Sequence, residues 1–506
     1  MSDRQISIRT KARVWIFPLY PFFFGIYPVL ALLAFNISEV DPYLSYRAVF
    51  LSIVFALFLF GLLRLLLRDW SRAAFLSLLL LILFFSYGHV YNLIKTTSVF
   101  GFALGRHRLL APLWAVLAGL AIWISTRRST RFSTLTTGLN IISAVLLILP
   151  IFQITSYELA NRRLHPATPS ASASTSSPST HSPYPDIYYI IPDAHGRTDK
   201  IQEVYGYDNS AFIQALTQRG FYIANCSQSN YPYTKSSLAS SLNMDYIDKF
   251  AAPNNAALDQ SIQNAAVRQF LKAHGYTIVA FETGFRWTQW EDADIYYRYR
   301  PAASLLNGFE YLYLQTTLLH LPMDYLNTSN LPQSDDSLHY HRILYNLGIM
   351  KNLAGSVKSP KFVFAHLVVP HPPYVFGPNG EYVTQGADDI NNIPGYRNAV
   401  AYIDQAILQV VDQILANSKA PPIIVIQGDH GPFFYSQPVQ HMAILNAYYL
   451  PGAPNSLYPS ITPVNTFRII FNAYFGQKYP LLQDQSWYAA FDNRYTFNLI
   501  PNNCGN

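Results

Sequence analysis

The residues best suited to chemistry in this chain stand where short apolar runs stop. The run Ile423-Ile-Val-Ile-Gln-Gly-Asp-His430 is brief, rich in β-branched residues and apolar on both faces, which predicts a buried strand of a parallel sheet over 422–426. It ends at Asp429 and His430, a carboxylate beside an imidazole, and that pair suits Zn²⁺ or Mn²⁺ better than a purely oxygen-loving ion. A tight turn over 428–431, with Asp429 as a cap, is the plainer alternative. A second strand pattern, Tyr188-Tyr-Ile-Ile-Pro-Asp193, also finishes on a carboxylate. One Asp after a strand is ordinarily a cap or turn residue, but two such strand ends gain weight because a parallel sheet delivers both to one edge.

The stretch Ser229-Asn-Tyr-Pro-Tyr-Thr-Lys-Ser-Ser-Leu-Ala-Ser-Ser-Leu-Asn-Met244 offers a nucleophile. Pro232 forces an extended entry, and Leu238 and Leu242 mark one face of a helix over 235–244, so Thr234 falls at the helix start. A threonine that merely caps a helix is common. At the positive end of a helix and beside a metal, the same hydroxyl becomes a nucleophile toward phosphorus. Lys235 then either steadies a phosphate oxygen or is a solvated surface lysine. In His366-Leu-Val-Val-Pro-His-Pro-Pro-Tyr374, His366 lies inside a strand pattern over 362–369, as a core histidine or a substrate contact. His371 sits in a proline-stiffened loop at that strand's end, where it is expected to bind the substrate phosphate or to protonate a leaving group.

What must position these residues is read from the rest of the chain. With 506 residues, 50% hydrophobic and 13% charged, the protein is too long for one ordinary domain and too apolar for a wholly soluble one. Apolar stretches at 14–35, 47–67, 73–94, 109–125 and 134–153 predict five transmembrane helices. The first is too long and too proline-rich for a signal peptide. Its basic flank, Arg4, Arg9, Lys11 and Arg13, together with Arg64, Arg68, Arg72, Arg127, Arg128 and Arg131, puts the amino terminus in the cytoplasm. An odd number of spans then exports everything after about residue 154. The net charge of +6 comes largely from span flanks, with no dense Lys/Arg stripe for nucleic acid. The spans show no inverted repeat and no acidic relay of the kind transporters use.

The division that follows is 1–160 as a transmembrane domain, 161–184 as a Ser/Thr/Pro-rich tether unable to bury enough apolar surface to fold, and 185–506 as an exported α/β domain with a largely parallel sheet. Strands are expected at 186–191, 276–281, 362–369 and 422–426, and helices at 209–219 and 398–417. The Leu/Tyr-rich segment 303–326 is an apolar helix that either packs in the exported core or leans on the membrane surface.

Asp193 at a strand end, Thr234 at a helix start, His371, and Gly428-Asp-His430 resemble, in that order, the sulfatase-like branch of the alkaline phosphatase superfamily over about 185–475. With five amino-terminal spans ahead, the chain is similar to the lipoteichoic acid synthases and the lipid A phosphoethanolamine transferases. The resemblance implies an alkaline-phosphatase-like catalytic domain on the periplasmic or outer side of a bacterial inner or plasma membrane. It implies one divalent metal held by Asp193, Thr234, Asp429 and His430, with Thr234 as nucleophile; Zn or Mn as the ion, His371 as catalytic, and Lys235, His366 and His371 as substrate contacts are read from the residues themselves. It also implies a phospholipid donor and a glycan or glycolipid acceptor, with phosphorus carried as a threonine ester. Two features depart from the pattern. Asp193 stands where these transferases usually have Glu, and Thr234-Lys-Ser-Ser-Leu238 replaces the C/S-x-P/A-x-R motif of sulfatases proper, which argues against sulfate-ester hydrolysis.

Water as acceptor would make the protein a phosphodiesterase or phosphomonoesterase of the same fold, and loss of metal would leave a non-catalytic envelope scaffold. Oligomeric state is not encoded in any pattern found. The two cysteines, Cys226 and Cys504, form no metal-binding motif; both fall on the exported side, where a disulfide persists, though two cysteines so far apart need not meet. A reporter that works only outside the cytoplasm, fused after Ser182, is expected to be active; activity of a cytoplasm-only reporter at the same junction would reverse the topology.

Overall fold

A computed structural model describes residues 17–95, 98–99, 102–103, 107–127, 135–163, 184–300, 306–325, 335–383, 389–432, 437–502 and 504. Arg4, Arg9, Lys11 and Arg13 and most of the expected tether lie outside the described residues. The chain forms two compact units. One takes in Met1–Ile37, Asp41–Tyr157 and Asn307–Leu326, the other Ser38–Val40, Glu158–Leu306 and Asn327–Asn506.

Five apolar helices dominate the first unit: Tyr20–Phe35, Tyr46–Leu67, Trp70–Ile94, His107–Thr126 and Thr136–Arg163. They fall on the five expected spans. At about 1.5 Å of rise per residue, the last four are long enough for a hydrocarbon core of about 30 Å, and the first, with 16 residues, is shorter. Small and aromatic side chains such as Ala56, Phe60, Ala73 and Ala74 are buried between helices, while Phe50, Phe58, Leu65, Val116 and Ile148 face outward. That inversion suits lipid, which solvates large apolar side chains and leaves small ones to the helix contacts. The first helix lacks a side-chain cap of its own. Asn140 supplies one, its Oδ1 accepting from the N–H groups of Leu19 and Tyr20 at 2.8 and 2.9 Å.

Within the segment 303–326 the described residues fold as helices Gly308–Thr316 and His320–Tyr325, and they group with the apolar helices of the first unit. Arg47 pairs with Glu310, the Ser52 and Tyr313 hydroxyls meet at 2.7 Å, and Leu318 N–H donates to Phe84 O at 2.7 Å. The approach is close enough that a Cβ on Gly88 would lie 2.0 Å from Gln315 O. Helical periodicity shows that a face is apolar; it does not say which partner covers it.

The second unit is built on a seven-stranded sheet. Its strands are β1 (Ile187–Pro192), β2 (Tyr222–Ile223), β3 (Thr277–Phe281), β4 (Ile295–Tyr297), β5 (Lys361–Leu367), β6 (Ile423–Gln427) and β7 (Asn446–Tyr449), in spatial order β2-β7-β6-β1-β5-β3-β4. All neighbours are parallel except those of β7. Central β1, β5 and β6 are buried throughout, which explains their continuous apolar sequence. Alternate residues feed two helix layers. Tyr188, Ile190, Val363, Ile424 and Ile426 pack with Ile403 and Val410 on one side; Ile187, Tyr189, Phe364 and Val425 pack with Leu238 and Phe467 on the other.

The helix Ile393–Asn417 is also long and apolar enough for a span, yet it lies in this second unit with one face on the sheet. Its Asp404 is buried 2.7 Å from His195 Nε2, an arrangement proper to a protein interior. Cys226 and Cys504 are joined by a disulfide. Alkylation of the denatured protein should therefore add no mass without reductant and two alkyl groups after reduction; two groups added without reductant would show that the bond is absent.

Candidate metal centre and nucleophile

Adjacent central strands bring the site together. β1 runs directly into Asp193, β6 into Gly428 and Asp429, and β5 carries His366 in register with Ile191. Asp193, His366 and Asp429 each offer a ligand atom within 4.8 Å of the others. His366 Nε2 is 3.0 Å from Asp193 Oδ2. His430 Nε2 is 3.5 Å from Asp193 Oδ1 and 3.6 Å from Asp429 Oδ2.

Local backbone makes this approach possible. Ala194 takes a left-handed φ of 64°, an uncommon conformation for a residue with a Cβ and one concentrated at functional sites. Its N–H donates to Asp429 Oδ1 at 3.0 Å. Gly428 is required on the other side, since a Cβ there would lie 2.5 Å from His195 O. Ser237 Oγ donates to the Asp429 carbonyl at 2.6 Å, tying the Thr234 helix to the loop after β6. Beneath lies a buried polar layer, in which the Tyr189 hydroxyl donates to Gln427 Oε1 at 2.7 Å and Gln427 Nε2 to Asn446 Oδ1 at 2.9 Å.

Thr234 is the first residue of its helix, Thr234–Asn243, and Tyr233 occupies the cap position. The threonine hydroxyl is therefore not used as a cap; its side chain neighbours the Asp429 carboxylate, whose charged form it favours. This sets it at the positive helix end and against the cluster, as expected from Pro232 and the leucine spacing.

The electrostatics call for a cation. Asp193 and Asp429 are 1% exposed, and among the described residues Asp193 Oδ1, Asp429 Oδ2 and His366 Nδ1 have no hydrogen-bond partner. Burial, followed by the Asp193 charge, pushes the Asp429 carboxyl up. Burial also raises Asp193, but His371, His366 and His430 outweigh it and hold that carboxyl below the ordinary range. Two facing carboxylates with orphaned oxygens and imidazoles alongside fit a divalent ion held by mixed oxygen and nitrogen donors.

His366, expected as a core histidine or a substrate contact, is buried with Nε2 3.0 Å from Asp193 Oδ2, because β5 is a central strand covered on both faces. Lys235, expected to steady a phosphate oxygen or to be a solvated surface lysine, has partners within the protein. Its Nζ lies 2.7 Å from the buried Asp259 and 5.2 Å from the Trp287 ring centre. His371 does stand at the site, half-buried, with its ring 6.5 Å from that of His430 and its charge felt by Asp193. A further histidine, His441, went unread. It is fully buried and its ring is 5.1 Å from that of His430. Burial, then the charge of His430, pushes it down to about 4. Its only sequence signal was a polar ring in a short segment opened by Pro438.

Strand-end carboxylates and a helix start come together at one edge of a doubly covered parallel sheet, the edge at which open α/β sheets bind ligands. The chain belongs to the sulfatase family, whose model matches residues 185–472. Among solved structures, the zinc complex of the periplasmic domain of Escherichia coli EptC is similar at 14% identity, covering 65% of this chain and 95% of that one, with a TM-score of 0.42. Neisseria meningitidis EptA, an integral membrane lipooligosaccharide phosphoethanolamine transferase, is similar at 13% identity over 90% of this chain and 95% of its own, with a TM-score of 0.40. An alkaline phosphatase superfamily protein from Vibrio parahaemolyticus is similar at 10% identity over 66% and 80%, with a TM-score of 0.40. No curated protein matches the chain.

Purified Asp193→Asn and Asp429→Asn proteins should lose bound divalent metal, and His366→Gln should weaken its affinity by about 10- to 100-fold, all read by elemental analysis against a metal-buffer series. Full metal content in both Asn variants would dismiss the site.

Proposed function

We propose that the protein is an exported phosphotransferase that moves a phospho-head group from a phospholipid to an envelope glycan or glycolipid through a Thr234 ester. The observation that carries this is that Thr234 opens its helix without capping it and its side chain is felt by the Asp429 carboxylate, while Asp429 Oδ2 and Asp193 Oδ1 have no hydrogen-bond partner among the described residues. That the chain also carries five apolar helices supports a donor and product that reside in the bilayer.

In this reading Asp193, Asp429, His430 and the Thr234 oxygen, with His366 alongside, would hold one Zn²⁺ or Mn²⁺. Such an ion lowers the pKa of a bound hydroxyl and offsets charge on phosphate oxygens. Thr234 Oγ forms the bond to phosphorus while the bond from phosphorus to the diacylglycerol oxygen breaks. His371, on the loop after β5, gives that leaving oxygen its proton. An acceptor hydroxyl then attacks the phosphothreonine, yields its proton to His371, and the Thr234–phosphorus bond breaks. The helix start at Thr234 adds a fixed positive potential where phosphate charge accumulates.

Cells carrying the wild-type protein should accumulate diacylglycerol and a phosphorus-modified glycan, compared by lipid and glycan mass spectrometry with cells carrying Thr234→Ala. Free head-group phosphate with no modified glycan would assign a hydrolase instead. Undiminished turnover by metal-loaded Thr234→Ala would end the threonine-ester reading.

A further inference from the structure

Each ring nitrogen of His441 faces a backbone carbonyl of one of the two loops that make the site, and the neutral ring has one N–H to donate. Its Nδ1 lies 2.8 Å from Pro432 O, two residues beyond His430, and its Nε2 lies 2.7 Å from Pro232 O, two residues before Thr234. The short helix that carries it, Pro438–Met442, is wedged between the same loops through its backbone. Gly431 N–H donates to His441 O at 2.7 Å, and Ser229 N–H donates to Met442 O at 2.7 Å.

Some 200 residues of chain separate the nucleophile from the Asp429-His430 pair, so covalent connection does nothing to set their separation. A flat ring packed between the Pro232 and Pro432 carbonyls limits how far the two loops can move relative to each other. Since the ring is fully buried, it acts through its neighbours and not on substrate.

We propose that His441 is a positioning residue that sets the distance between the Thr234 hydroxyl and the Asp429-His430 pair: its neutral ring donates from Nε2 to Pro232 O, and its backbone carbonyl accepts from Gly431 N–H. The proposal rests on Thr234 being the nucleophile. It divides the residue into two functions: the Nε2 side of the ring holds the nucleophile loop, and the backbone holds the ligand loop.

A glutamine amide nitrogen falls near the place of Nε2 and an asparagine nitrogen near that of Nδ1, and each is a donor. The test uses full-length protein in mixed micelles of phosphatidylethanolamine and phosphatidylglycerol. Diacylglycerol release gives kcat and KM, and metal content and melting temperature are measured on the same samples. His441→Gln should keep kcat within about tenfold of wild type. His441→Asn and His441→Ala should each lose about 100-fold in kcat, the scale of a misplacement of about 1 Å, with KM and metal content unchanged. Equal kcat for Gln and Asn, or an Ala variant within about twofold of wild type, overturns the proposal. So does loss of metal in all three variants, which would make the ring simple packing. If Ala does not fold, the Gln/Asn comparison decides alone. Thr234→Ala run in parallel separates the two failures: turnover there defeats the nucleophile, while an inactive Thr234→Ala beside a fully active His441→Asn defeats only the positioning role.

Discussion

Two carboxylates held face to face out of water are the feature that the rest of this structure serves. Asp193 and Asp429 are almost wholly buried, each keeps an oxygen without a hydrogen-bond partner among the described residues, and each charge destabilises the other. Left alone, such a pair would cost several kcal/mol in desolvation and repulsion. The surrounding protein accepts that cost and fixes it in place. Ala194 adopts a left-handed backbone to donate to Asp429, Gly428 gives up a side chain to let His195 approach, and Ser237 ties the Asp429 backbone to the Thr234 helix. A pocket whose own groups resist one another is a pocket shaped for a cation.

The sheet supplies the rigidity this needs. β1, β5 and β6 are neighbours in the centre, hydrogen-bonded in parallel register, so the residues at their carboxyl ends are offset by the fixed spacing of strands. A donor set on three such strands is held more precisely than one on loops. The loop-borne parts, Thr234 and His371, are placed by secondary devices: a proline-initiated helix for the one and a proline-rich turn for the other. The polar layer of Tyr189, Gln427 and Asn446 under the site is fully engaged, which lets a polar floor persist in an otherwise apolar core.

The transmembrane unit follows different rules from the same chain. Its helices bury small side chains and present large apolar ones, and the polar residues they do contain are spent on specific jobs, as when Asn140 caps the first helix. The amphipathic pieces at Gly308–Thr316 and His320–Tyr325 join this unit although they arise in the middle of the α/β sequence. An insertion that leaves one unit to pack in another is tolerated because the sheet order does not depend on it.

Much of this was legible beforehand because it rests on local rules. Five apolar stretches of sufficient length and the runs at 186–191 and 422–426 are short-range patterns, and each fell at or near its expected place. The strand ends even announced their common edge, since parallel strands share a direction. What the sequence could not carry was which groups meet once distant segments converge. Whether His366 faces substrate or sits behind Asp193, whether Lys235 reaches phosphate or turns to Asp259, where 307–326 docks, and whether Cys226 meets Cys504 are all questions of relative orientation across long stretches of chain. His441 shows the limit most clearly, because its position between two proline carbonyls, one of them some 200 residues away, exists only in the folded molecule. Local propensity and periodicity decide what an element is; packing of one element on another decides what its side chains touch.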